Sequence, residues 1–280
     1  MVKKHVGYTE DELAQSPYAR FYNSEIAPLQ PQVAEAQLVG AVAHELMYPV
    51  ERAPEMQSDN DWPVENGYAY GPDGSLRVFC SIEMPGVTPA MWDWWFGWHG
   101  SEAQRYRLWH PKAHVDVGWK DGRDDLRHYV GRISHIEEYL GSESKKGAIC
   151  FLPPSRLGLD EQRLADRGEV AICARIALQN SPIKAGWLLH HVRPVAGGAQ
   201  MRQRMWFGGD NVSIGDDPGP LGKALGFVLR LAVKYMQPDP ADMLTHAAQE
   251  MAHLATFLPE LYQSFHNAES TGTSAPEKRI

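Results

Sequence analysis

The spacing of apolar positions changes character twice along the chain. Up to residue 64 it is proline-rich and irregular, with one helix-like stripe from Ala34 to Met47. That stretch reads as an N-terminal extension laid against a main domain. From about residue 65 the pattern has mostly the two-residue period of strands, and after Phe207 it takes on the 3.6-residue period of helices. Tyr68–Ile82, broken by Pro72-Asp73-Gly74, predicts a hairpin. Thr88-Pro89 supplies an N-cap and a proline at the first helical position, predicting a helix through Trp98 that Gly97 and Gly100 close.

Strands are predicted over Arg105–Val117 and Tyr129–Leu140, separated by a charged loop from Lys120 to Asp125. Ala148–Leu152 follows a turn over Gly141–Gly147. A short helical patch, Leu159–Asp166, precedes strands at Glu169–Leu178, Ile183–Val195 and Gln200–Phe207. Asn180-Ser181-Pro182 and Gly197-Gly198 serve as their turns. Two helices end the pattern, Leu221–Met236 and Pro240 to about His266, the second capped by Asp239. The polar tail, 269–280, is expected to be mobile. Meandering strands followed by a long terminal helix imply an α+β fold, an antiparallel sheet wrapped around that helix with a cavity between them. The expected organisation is an extension over 1–64 and a catalytic domain over 65–268.

Composition narrows the function more than the fold. A net charge of −8 and a pI near 5.8 argue against a nucleic-acid partner, which would want a basic face. No apolar run reaches eighteen residues, so no membrane span is expected, and the polar N-terminus does not resemble a signal peptide. Three widely spaced cysteines, Cys80, Cys150 and Cys173, fit a reducing cytoplasm better than a disulfide framework. The oligomeric state is open, a homodimer included. Nine tryptophans are many for this length, and Trp92, Trp94, Trp95 and Trp98 crowd into seven residues. Such an aromatic block builds either a thick core or the wall of a pocket for a flat ligand.

The most informative chemistry lies in the terminal helix. His246 and Glu250 are four residues apart and so point to one spot beside the apolar stripe of Leu244, Ala247, Met251, Leu254 and Leu258. Two such donors on one turn can serve one metal ion, although most His/Glu pairs at this spacing are surface pairs. His110 and His114 form a second histidine-dense stretch. His114 is the better candidate because His110 precedes Pro111 and sits at a bend. In the strand Ser134–Leu140, alternation sets Ser134, Ile136, Glu138 and Leu140 on one face and His135, Glu137 and Tyr139 on the other. A carboxylate among isoleucine and leucine is costly unless paired or metal-bound, which favours Glu138 over Glu137. His190 and His191 must face opposite ways in their strand, one inward and one outward.

Met91–His99, Tyr106–His114, Glu138-Tyr139-Leu140-Gly141 and His246-x-x-x-Glu250 together resemble the 2,4-diacetylphloroglucinol hydrolase and phloretin hydrolase family, over roughly residues 65 to 265. The resemblance implies a Bet v 1-like, helix-grip domain and a zinc ion held by His114, Glu138, His246 and Glu250, with Glu137 and Glu143 as alternatives for the strand carboxylate. It also implies hydrolysis of the carbon–carbon bond between an acyl group and a polyhydroxylated ring, the substrate being a small aromatic acylphenol. By the same resemblance Tyr106 and Asp121 contact the substrate and His190 assists proton transfer. A further substrate-contacting tyrosine of the family falls near Met205-Trp206, so Trp206 is the expected replacement and the exact substrate stays open. Tyr106, placed on the same predicted strand as His114, should face the cavity with it. Trp92, Trp95 and Phe96 are expected to wall in the ring, with core packing the alternative for two of them. The rival function is a non-catalytic carrier of apolar aromatic ligands, which a helix-grip cavity also suits.

Overall fold

A computed structural model describes residues 4–123, 128–215 and 220–267. The expected mobile tail and part of the charged loop after Lys120 lie outside these residues. The N-terminal extension carries two short helices, α1 (Glu10–Gln15) and α2 (Pro31–Val39), and several 3-10 turns. Then come the strands β1 (Gly67–Tyr70) and β2 (Ser75–Pro85) and the helices α3 (Pro89–Trp98) and α4 (Ala103–Trp109). β3 (His114–Trp119), β4 (Ile133–Leu140) and β5 (Glu143–Leu152) lead to the helix α5 (Glu161–Asp166). β6 (Val170–Leu178), β7 (Ile183–Val195), β8 (Gly198–Gly208), the two-residue β9 (Ser213–Ile214), α6 (Pro220–Met236) and α7 (Pro240–Phe265) complete the chain.

All pairings between these strands are antiparallel, in the order β1-β2-β8-β7-β6-β5-β4-β3, with β9 beside β7. The 26-residue α7 lies against β2 and is buried along Leu244, Ala247, Met251, Leu254 and Leu258, the stripe read from the sequence. This is the helix-grip arrangement, and it leaves a cavity between sheet and helix. Local chemistry explains the boundaries. The Thr88 side chain accepts from Met91 N and starts α3, and Asp239 accepts from Ala241 N to start α7. None of the described helices is long and apolar enough to cross a membrane.

Three expectations fail here. The helix-like stripe Ala34–Met47 is α-helix only as far as Val39, where Gly40 at φ +76 ends it. Arg105–Trp109 is helix, not strand, and its buried Arg105, Tyr106, Leu108 and Trp109 follow a helical spacing too short to stand out in the sequence. Pro111 ends it, because the residue before a proline avoids helical geometry, and His110 adopts φ −140, ψ 89. The turn expected over Gly141–Gly147 is confined to Gly141 and Ser142 and is followed by strand, with Leu140 paired to Glu143. Gly141 permits the turn with φ +60. Ser144, Lys145 and Lys146 are strand residues paired to Tyr139, Glu138 and Glu137.

The outer face of the sheet carries a second core. The extension lays Met47, Ala53, Met56 and Trp62 over Phe79, Leu189 and Trp206. Beneath it the fully buried Arg202 and Arg204 both bind Glu65, with Arg202 Nη2 at 2.6 Å from its carboxylate. Burial alone would raise the Glu65 carboxyl, but the charge of Arg204 and the hydrogen bonds from Arg202 hold it at about 2. Capping the sheet this way makes the extension part of the folded unit.

Candidate metal centre and cavity

β3 begins at His114 and is paired there with Glu138 of β4, so the two side chains meet on the concave face. The i,i+4 pair on α7 adds His246 and Glu250 from the opposite side. His114 Nε2 lies 3.7 Å from Glu138 Oε2 and 3.3 Å from Glu250 Oε2. His246 Nε2 lies 3.7 Å from Glu138 Oε2 and 3.5 Å from Glu250 Oε2. Donors of His114, Glu138 and His246 fall within 4.8 Å of one another. Ligand atoms about 2.1 Å from one centre at tetrahedral angles stand about 3.4 Å apart, close to the four His–Glu distances, although Glu250 falls outside the set whose donors all lie within 4.8 Å.

The electrostatics point the same way. Both Nε2 atoms are buried without a hydrogen-bond partner. His114 Nδ1 is 2.9 Å from the Tyr106 carbonyl oxygen, a bond that makes Nδ1 the donor and leaves the Nε2 lone pair toward the cluster. Burial raises Glu250 to about 7 despite His246 beside it, as expected of a carboxylate in want of a cation. His246 is itself raised: burial opposes its charge, but Glu138 and Glu250 outweigh it. The Tyr106 hydroxyl donates to Glu138 Oε2 at 2.5 Å, and its ring stacks on His114 at 3.7 Å between centroids. His110 stacks on His246 at 4.8 Å, supporting the far side of the cluster.

Tyr106, Glu138, His246 and Glu250 border a cavity of about 200 Å³ whose other walls are mainly apolar, among them Phe96, Phe151, Leu188 and Phe207. His190 faces into this cavity. Its neighbour His191 points the other way, 2.8 Å from Glu169. Burial, with His99 nearby, pushes His190 down to about 3, so its imidazole is neutral at physiological pH.

Of the expected ligands, all four gather at one place. Glu137 instead binds Lys4, Ser144 and Lys146, and Glu143 binds Lys145 on the surface. The substrate wall is corrected at several points. Phe96 lines the cavity, whereas Trp92 and Trp95 are fully buried behind it, Trp92 stacking on Phe96 and lying tilted against the His190 ring. Trp206 does not reach the cavity. It lies in the outer core and donates from Nε1 to the Tyr48 carbonyl at 2.8 Å, while its neighbours Met205 and Phe207 face inward. Strand alternation demands this split. Asp121 is not among the lining residues. It pairs with Arg132 at 2.9 Å and with Arg123, and these bonds hold its pKa at about 2. Ser134, Gln203 and Met205 also line the cavity, and the sequence reading had not singled out Gln203 or Met205 for it, nor Ser134 as a site residue. Only the register that sets Gln203 opposite His190 would have found Gln203.

Comparison with known proteins then fixes the lineage. A family model described as the DAPG hydrolase PhiG domain matches residues 47–263. The chain is 27% identical over 264 residues to a 2,4-diacetylphloroglucinol hydrolase of Pseudomonas sp, covering 89% of this chain and 88% of that one. It is 28% identical over 268 residues to a phloretin hydrolase of Eubacterium ramulus, covering 92% and 93%. Among solved structures it resembles human STARD10, with a TM-score of 0.38 and 9% identity over 78% of this chain and 82% of that one. The family match spans most of the chain and encloses every residue of the cluster, and this protein belongs to the DAPG hydrolase family.

Proposed function

We propose that this protein is a zinc-dependent hydrolase that cleaves the carbon–carbon bond between an acyl group and a phloroglucinol-type ring. The observation that carries the proposal is the set of two imidazoles and two carboxylates, 3.3–3.7 Å apart across the cluster, on the wall of an aromatic cavity. His114, Glu138, His246 and Glu250 would hold the ion. When bound, zinc supplies Lewis acidity that polarises a carbonyl and makes water a better nucleophile near neutral pH.

The chain's own groups fit the remaining needs. A ring carbon leaves readily only once the polyhydroxylated ring has ketonised, when the bond to be broken resembles that of a β-diketone. The overall reaction adds water across that bond: oxygen goes to the acyl carbon and a proton to the ring carbon. His190, neutral and facing the cavity, can pass a proton between a ring oxygen and the ring carbon. Tyr106 can hold an acyl or ring oxygen with the hydroxyl that now binds Glu138. Phe96 and Phe151 give the ring an apolar wall and keep bulk water away.

A ligand carrier has no need for buried metal donors, so the cluster favours catalysis. The test is metal-dependent release of acetate from 2,4-diacetylphloroglucinol, compared with release of the arylpropionate from phloretin. Turnover of either one that chelation abolishes and zinc restores supports the proposal. Binding of both without hydrolysis, at full metal occupancy, would contradict it.

A further inference from the structure

Polar side chains line the cavity at several places, Ser134, Lys145 and Lys146 included, and two of these places matter here. One is the cluster on β3, β4 and α7. The other is Gln203 on β8, paired directly across β7–β8 with His190. Three strands, β5, β6 and β7, separate β8 from β4 in the sheet order, so the Gln203 station and the strand half of the cluster stand on different walls of one hollow. Gln203 is 2% exposed, and its Oε1 is buried without a hydrogen-bond partner. Met205, Phe207 and Leu188 on that face offer it none, and His190, directly across the ladder, makes no bond to it and leaves its own Nδ1 without a partner. An unsatisfied buried amide costs roughly 1–3 kcal/mol, so a place for it in the free protein needs a reason.

We infer that Gln203 is a specificity-determining residue that hydrogen-bonds a free ring hydroxyl remote from the acyl group being cleaved. This rests on the hydrolase reading above and names which members of the substrate class the cavity accepts. A ligand that satisfies both stations must be polar at two ends and apolar between them. A polyhydroxylated acylarene has that form. An acyl ring with a hydroxyl only beside its acyl group would leave the Gln203 amide unpaired, and a site built to bind a hydroxyl rejects a ligand without one.

The test compares phloretin with its analogue lacking the ring hydroxyl para to the acyl group, which keeps only the two hydroxyls beside it, on the zinc-loaded wild type and on Gln203→Leu and Gln203→Met. The wild type should prefer phloretin about tenfold or more in kcat/KM. Both variants should lose about tenfold of that preference, the worth of one neutral hydrogen bond, mainly through KM. They should also unfold at higher denaturant, because an unsatisfied amide has been removed. A merely structural Gln203 would give the opposite stability change and equal losses on both substrates, and either result overturns the inference. Should the wild type hydrolyse neither compound, the hydrolase reading fails. Quenching of tryptophan fluorescence by the two compounds then decides for Gln203: a preference that disappears in Gln203→Met supports it, and an unchanged preference refutes it.

Discussion

Tyr106 binds Glu138 through its hydroxyl at 2.5 Å, and so a phenol buried in the cavity wall holds one carboxylate of the cluster in place. Burial and the charge of Glu138 push the Tyr106 pKa far up, which keeps the phenol protonated and a donor throughout the working pH range. Such outer partners of a ligand typically change metal affinity or activity by about 10–100-fold. Tyr106→Phe should therefore keep the fold and lower kcat/KM within that range. Steady-state kinetics beside metal content would check this, and unchanged kinetics would place the hydroxyl outside the reaction.

His190 gives a prediction about pH. Its pKa near 3 keeps it neutral across the range in which enzymes are usually assayed. The free enzyme's pH profile of kcat/KM should accordingly show no limb from His190 between about pH 5 and 8. His190→Asn should lower kcat by about 10²-fold or more, if His190 moves the proton, without displacing either limb. A limb that vanishes in this variant would mean that His190 titrates in the free protein.

Trp206 separates stability from function. Because it packs on the outer face, Trp206→Phe should cost about 1–2 kcal/mol, from the lost bond to Tyr48 and unfilled volume. KM for acylphenols should stay within about twofold of wild type, since nothing at the cavity changes. Denaturant midpoints and KM measured together would check this. A raised KM at unchanged stability would return Trp206 to the substrate wall.

The outer ion network predicts acid sensitivity. The Glu65 carboxyl is at about 2 in the folded chain, below its unfolded value near 4.3. A depressed carboxylate stabilises the fold above the unfolded value, and this contribution is lost as pH falls from about 4 toward 2. The wild type should lose up to about 3 kcal/mol on this account, while Glu65→Gln, already destabilised at pH 7 by its uncompensated arginines, should have a flatter pH dependence. Urea midpoints from pH 6 to 3 would show it, and parallel curves would contradict it.

Much of this was legible in the sequence because two periodicities carry it. The 3.6-residue stripe of α7 placed His246 and Glu250 together at the edge of the core, and the two-residue alternation of β4 chose Glu138 over Glu137. What failed depended on packing between distant segments. Tyr106 reaches the cavity from a helix, so its expected position was right but the strand argument for it was not. Trp206 was given to the cavity on resemblance, although alternation from Met205 sends it outward. Gln203 carried no local mark, because its meaning comes from the register with His190.

The central claim is that a metal ion completes the buried His/Glu cluster. The most direct measurement is metal content by plasma mass spectrometry on protein purified without added metal, for the wild type and for Glu250→Gln and His114→Ala. The account predicts about one zinc per wild-type chain, with variants that keep their circular dichroism falling to about a tenth of that or less. Equal metal in the variants, or a fully active wild type with almost none, would contradict it.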